Sequence, residues 1–249
     1  MIRPYYETNG VTLFHGDCRE ILPQLSGFDV VIADPPYGET SLEWDRWPTG
    51  WVDAVSATGA RTLWCFGSMR MFLDRRDDFA GWHMAQDLVW EKHNGSGFHA
   101  DRFKRVHEHA VQWYRGPWEA QRREVPVTLD AVKRTVRKKG RPAHMGHIDA
   151  TPFVSEDGGP RLMRSVIFAR SRHGVALHPT EKPAAFVTHL VTYSVAPGAI
   201  VVDPFVGSGT TLEVARNTGR VGVGIEIDEA KCEIAARRLA QGILALGGA

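Results

Sequence analysis

The sequence is poor in cysteine and lacks any long apolar run. Its three cysteines, Cys18, Cys65 and Cys232, are far apart, odd in number and form no C-x-x-C pair. That argues against a disulfide framework or a cysteine-built zinc site and suits a reducing compartment. No stretch approaches the roughly 18 consecutive apolar residues of a membrane span, and the opening MIRPYYETNG has no apolar signal core. A soluble cytoplasmic protein without a membrane partner is therefore expected. Net charge is also nearly absent: 30 Lys and Arg stand against 29 Asp and Glu, so no whole-molecule field selects a partner.

What is present is a pattern. With 249 residues and 43% apolar content, the chain can bury one α/β domain carrying a small insertion. Strand-like runs at 11–17, 28–34, 61–68, 84–92, 107–116, 199–205 and 221–228 alternate with helix-like stretches at 18–25, 51–59, 69–80, 181–196, 210–219 and 229–246. Alternation of this kind predicts a doubly wound, mostly parallel, Rossmann-like sheet covered on both faces. The pattern fails between 116 and 172, which divides the chain into 1–115, a basic insertion over 116–172, and 173–249. Residues 102–141 hold twelve Lys or Arg against four Asp or Glu, including the run KRTVRKKGR. Such a run is either a solvated loop or a surface for a phosphate backbone. On the second reading Lys133, Arg134, Arg137, Lys138, Lys139 and Arg141 make the contacts.

Four of the predicted strands finish on an acid: Asp17, Asp34, Asp203 and Glu226. Ligands of open parallel sheets bind beyond the carboxyl ends of the strands, and carboxylates there suit hydroxyl and amino donors. The stretch VVDPFVGSGTTLEVA, 201–215, reads as strand, acid, glycine loop and helix, with Thr210 or Thr211 as the helix cap. It is not a P-loop, because no lysine follows Gly209, and not a dinucleotide fingerprint, because Leu212 occupies the third glycine position. Glu226, ending the next strand, stands where an acid would meet a ribose. An adenosyl-type ligand without a pyrophosphate fits this combination.

DPPY (34–37), HPTEKP (178–183) and DPFVGSGTT (203–211), in that order, resemble the permuted β-type amino-methyltransferases of DNA. The flanking stretches HGDC (15–18) and RVHEHAVQWYRG (105–116) also look like family motifs. The resemblance covers roughly 1–115 and 173–249 and implies S-adenosyl-L-methionine as methyl donor, no metal, and double-stranded DNA as partner. It implies that Phe205, Gly207, Ser208, Gly209 and Thr210 wrap the cofactor, that Asp203 closes its strand, and that Glu226 takes the ribose hydroxyls. By the same resemblance Asp17 and the backbone near Cys18 meet the adenine ring, and Thr180 and Lys182 are candidates for the methionine carboxylate. Because the glycine loop falls near the end of the chain, the strand ending at Asp17 should lie beside the one ending at Glu226. A second copy of the chain and a cognate restriction endonuclease are further partner expectations that no residue of the sequence decides.

An amine substrate explains the tetrapeptide. The exocyclic nitrogen of adenine or cytosine is a poor nucleophile because its lone pair is delocalised into the ring. Asp34 and the Pro35 carbonyl can accept its two hydrogens, Pro35 and Pro36 stiffen the edge without a competing N–H, and Tyr37 offers a flat face for a flipped base. An aspartate opening this motif tends, within the family, towards adenine N6; cytosine N4 is the alternative. Residues 37–47 read as a loop whose Trp44 and Trp47 either close over the base or pack beneath the sheet edge. Among the eleven histidines, His144 with His147 and His107 with His109 lack an acid or cysteine at ligand spacing, and His178 is expected to be structural. Rival readings are methylation of RNA or a protein amide, a DNA-binding module with a decayed cofactor site, and, weakest, a nicotinamide oxidoreductase.

Overall fold

The computed structural model describes residues 2–96, 100–136, 153–170 and 181–246. In chain order the elements are β1 (Tyr6–Thr8), β2 (Val11–His15), α1 (Cys18–Ile21), β3 (Val30–Ala33), α2 (Trp51–Ala57), β4 (Thr62–Gly67), α3 (Met69–Asp74), β5 (His83–Ser96) and β6 (Arg105–Tyr114). Then follow β7 (Val127–Thr128), β8 (Arg134–Val136), β9 (Phe153–Ser155), β10 (Arg161–Leu162), β11 (Val166–Ala169), α4 (Ala184–Ser194), β12 (Ile200–Asp203), α5 (Thr210–Asn217), β13 (Val221–Glu226) and α6 (Glu229–Leu246).

Nine strands form one sheet in the order β1-β2-β13-β12-β3-β4-β6-β5-β11. Only β1 and β6 run against the rest. The central strands are apolar throughout because they are covered on both faces. Along β3 and β4, Val31, Ala33, Leu63 and Cys65 enter one core cluster, with Trp51 and Phe79. The alternate residues Val30, Ile32, Trp64 and Phe66 enter another, with Phe186 and Leu190 of α4. β2 pairs in parallel with β13, Glu226 opposite His15, although more than 200 residues separate them in sequence. That is the neighbourhood expected of a permuted chain.

The chain divides into two compact units, Met1–Glu124 with Ser165–Ala249, and Val125–Arg164. The insertion is thus narrower than the expected 116–172. Residues up to 124 stay with the sheet, where the Glu124 N–H donates to the Tyr193 carbonyl at 2.8 Å. β11, unforeseen because its four apolar residues stand between arginines, pairs in parallel with β5. The smaller unit consists of two short antiparallel ribbons, β7 with β10 and β8 with β9. Val125, Val127, Leu129, Val132, Val154 and Leu162 are exposed in it. Within this unit the Lys133 N–H donates to Asp157 at 2.6 Å and the Lys133 ammonium lies 3.4 Å from Glu156. No helix among the described residues is long and apolar enough to cross a membrane.

Candidate active site

Since β2, β13, β12 and β3 are consecutive and parallel, the acids at their carboxyl ends share one edge. Asp17, Glu226, Asp203 and Asp34 follow one another across three interstrand spacings, roughly 14 Å. The cofactor candidates and the DPPY tetrapeptide are therefore brought together by strand order alone.

The three acids on the β2, β13 and β12 side are each held by their own loops. Glu226 is buried; its Oε2 accepts from the Gly207 N–H at 2.8 Å and its Oε1 from the Asp228 N–H at 3.0 Å. The Asp203 carboxylate accepts from the Phe205 N–H at 2.9 Å. Burial raises its pKa to about 7 against the opposing hydrogen bond from Thr211. Asp17 caps α1: its Oδ1 accepts from the Arg19 N–H at 2.9 Å, and the Arg19 guanidinium grips both oxygens. That hydrogen bond, against the cost of burial, lowers the Asp17 pKa. Cys18 behind it is buried, and burial pushes its thiol up to about 12, so it carries no thiolate.

The glycine loop departs from expectation at its cap. Gly209, at φ 86°, is the N-cap of α5 and no side chain caps this end. The expected caps serve elsewhere: Thr211 bonds Asp203, and the Thr210 hydroxyl accepts from Arg238 Nη1 at 3.1 Å. A side chain at Gly209 would be strained by that φ and would press on Ala235 at 3.2 Å. Arg238 of α6 is buried and also donates to Glu181 at 2.8 Å, to Ser208 Oγ at 3.3 Å and to Glu213 at 2.8 Å. One guanidinium thus ties the last helix, the glycine loop and the TEKP segment together. The sequence reading passed over both Arg238 and Glu181, whose only signal was an acid inside the HPTEKP motif.

At the tip of β3 the contacts come from far along the chain. Tyr37 Oη donates to Asp34 Oδ1 at 2.9 Å and Lys182 Nζ donates to Asp34 Oδ2 at 2.6 Å. Lys182, 9% exposed, also lies 3.4 Å from Glu108 Oε2. Glu108, on β6, pairs through its other oxygen with Lys92 of β5. Burial works against both charges, yet Lys182 and Lys92 hold Glu108 at about 2, and Asp34 with Glu108 raise Lys182. Burial, then Asp34 and Glu108, raises the Tyr37 hydroxyl well above its ordinary value, which keeps it a donor. Lys182, from sequence a candidate for the cofactor carboxylate, here pairs with the opening acid of the DPPY tetrapeptide. Glu108 was missed; its signal was an acid within a strand whose next residues are buried.

The loop after the tetrapeptide is built around Asp45, whose carboxylate accepts the N–H groups of Gly38, Glu39 and Thr40 at 2.7–3.0 Å. Trp47 packs into the core beside Trp51 and Phe79, whereas Trp44 is exposed with Lys231 5.0 Å above its ring. Asp228 acts as a helix-end acid, accepting from the Ala230 N–H at 2.9 Å. Among the described residues no group of three or more His, Cys, Asp or Glu could hold a metal ion. Thr180, His178, Arg137, Lys138, Lys139, Arg141, His144 and His147 lie outside the described residues.

Known proteins fit this arrangement. The chain is 28% identical over 261 residues to the type II methyltransferase M.ScaI of Streptomyces caespitosus, a match covering 95% of this chain and 84% of that protein. The structure superposes on the M1.HpyAVI–SAM complex with a TM-score of 0.62 at 21% identity, covering 92% of this chain and 98% of the other. A cytosine-N4-specific PvuII DNA methyltransferase gives the same TM-score at 16% identity, covering 91% and 85%. At these identities the superpositions speak for the fold. The sequence model of the N6/N4 DNA methylases matches residues 28–237. With most of its length inside that match, the protein belongs to the N6/N4 family of DNA methylases.

Proposed function

We propose that the chain methylates the exocyclic N6 amine of adenine in duplex DNA, on a base swung out of the helix, with S-adenosyl-L-methionine as donor. The observation that carries this reading is the strand order: Asp34 projects one strand from Asp203 and two from Glu226 at the same edge. The cofactor, when bound, supplies an electrophilic methyl group on a sulfonium. The residues present suit it. Glu226 retains acceptor capacity beyond its two backbone bonds, and a Cβ built on Gly207 meets nothing nearer than the Phe205 carbonyl at 4.0 Å, leaving the loop's outer side open. M1.HpyAVI, of like fold, was itself solved with SAM.

Asp34 and the Pro35 carbonyl would accept the two amino hydrogens, favouring a pyramidal nitrogen and returning its lone pair for attack. Tyr37 would stack on the base, worth about 1–3 kcal/mol. Rate then depends on alignment and fixed charge. The nitrogen becomes acidic only after it gains the methyl, so its proton leaves late, to Asp34 or water. Lys133, Arg134 and the basic run after them would meet the phosphate backbone.

The aspartate opening DPPY favours adenine; a cytosine-N4-specific enzyme shares the fold, and cytosine N4 is the alternative. Expression in a host free of DNA methylation, followed by single-molecule sequencing of its genome, distinguishes them. N6-methyladenine at one short recognition site is expected. N4-methylcytosine would replace the target base, and unmodified DNA would overturn the reading.

A further inference from the structure

We propose that Lys182 is a two-position cation, resting on Asp34 in the substrate-free protein and passing to Glu108 when the target amine arrives. This makes Glu108, on β6, a positioning residue for methyl transfer. The inference rests on the reading above and adds a step to it.

Asp34 already accepts two hydrogen bonds. Tyr37 occupies one oxygen and the Lys182 ammonium, at 2.6 Å, the other. A buried, charge-assisted bond from an ammonium is stronger than one from a neutral amine. An incoming amino group therefore meets a carboxylate whose negative charge is engaged, and an ammonium crowding the place it needs. Full acceptor strength at Asp34 requires the ammonium to move away.

A destination is at hand. Glu108 Oε2 is buried and already stands 3.4 Å from Nζ, a looser ion pair than the 2.6 Å bond to Asp34. A buried carboxylate that pairs only loosely with the lysine can take a full charge-assisted bond from it. Lys92 fixes the other Glu108 oxygen, and Lys92 in turn lies 4.7 Å over the Trp90 ring. The receiving carboxylate is thus immobile and ionised before the ammonium reaches it. The lysine stem is confined as well: Nζ lies 5.1 Å from the Phe66 ring centre and 5.9 Å from that of Tyr37. Turning its last torsions exchanges one carboxylate for the other without taking the charge out to water.

Lys182 is acted on by Asp34 at the tip of β3 and by Glu108 on β6, with Lys92 behind it on β5, and its charge in turn acts on the Cys65 thiol of β4. Two carboxylates and two ammoniums leave this cluster neutral. Moving Lys182 from one acid to the other keeps it neutral while freeing the Asp34 charge to face the amine and the sulfonium.

The test is Glu108→Gln, which keeps the shape of the acceptor and removes its charge. Methyl transfer to duplex DNA should fall on the order of 10²-fold in kcat, while Kd for cofactor and for DNA stays within about twofold. The alkaline limb of the kcat–pH profile should move to lower pH, because an anion favouring protonated Lys182 is gone. Glu108→Asp should recover part of the rate. A Glu108→Gln protein with parental kcat and an unmoved alkaline limb overturns the proposal. A second measurement needs no variant: the structure of the parent with duplex DNA and S-adenosyl-L-homocysteine. Nζ within about 3 Å of Glu108 Oε2 is expected; Nζ still bonded to Asp34, with the base in place, overturns it. A parent protein that leaves DNA unmethylated defeats the functional reading instead, so the two failures are distinguishable.

Discussion

The two ends of the site are stabilised in different ways. At the cofactor end the partners are local: Asp17 accepts from the Arg19 N–H and guanidinium, Asp203 from the Phe205 N–H and Thr211, and Glu226 from the Asp228 N–H and that of Gly207 in the neighbouring loop. At the DPPY end, Asp34 is held by Lys182, 148 positions away, and the lysine sits against Glu108 of a second strand, β6. Backbone donors are fixed and neutral and cannot be withdrawn. A lysine is mobile and charged and can be. Groups that only hold a ligand can be locked permanently, whereas a group that must take and release hydrogens during turnover benefits from a movable partner.

Asp34→Ala tests this division most severely. It should lower methyl transfer by at least about 10³-fold while leaving cofactor Kd, measured by calorimetry, close to the parent's. A parallel loss of cofactor binding would mean that the two ends are one unit. Arg238→Ala probes a long-range tie at the cofactor end. It removes a buried guanidinium bonded to Glu181, Glu213, Ser208 and Thr210 and should lower stability by several kcal/mol, read as a lower denaturant midpoint. Glu226→Gln should weaken cofactor binding by roughly tenfold, about the worth of a charge-assisted hydrogen bond, and leave stability nearly unchanged.

A last effect concerns pH. Asp203 has its pKa raised from 3.8 to about 7, so the folded state holds its proton more tightly than the unfolded chain does. Its contribution is fully favourable below the unfolded value and is lost as pH rises through about 7. Asp203→Asn should remove that slope, and Tm should decline less between pH 4 and 7 than in the parent. Glu108, held at about 2, has the opposite sign: its stabilisation is present above the ordinary carboxylate range and lost as pH falls towards 2.

Much of the sheet was legible because its signals are local. Strands such as VVIA and TLWCFG declare themselves by their apolar content, and the four acids stand at a strand's end or within two residues of it. The adjacency of β2 and β13 followed from motif order. β1 and β11 were not legible: one has three residues and the other four, too few for a period to register. The pairings of Lys182 with Asp34, Glu108 with Lys92 and Arg238 with Glu181 were not legible either. Each depends on which strands and helices become neighbours, and an isolated charged residue carries no mark of its partner. Trp44 and Trp47, three residues apart, show the same limit: one lies at the surface and one in the core.

The placement of β13 between β2 and β12 has a consequence for how the molecule is made. A ribosome delivers β2 about 200 residues before β13, the strand that completes its neighbourhood. Until then an apolar edge stands open in the middle of the future sheet, offering the nascent chain a long wait and a target for the wrong strand. Pairing between strands so far apart in sequence makes assembly slow by loop-closure entropy. It also means that synthesis interrupted before β13 leaves a gap within the sheet, with β2 and β12 both lacking a neighbour.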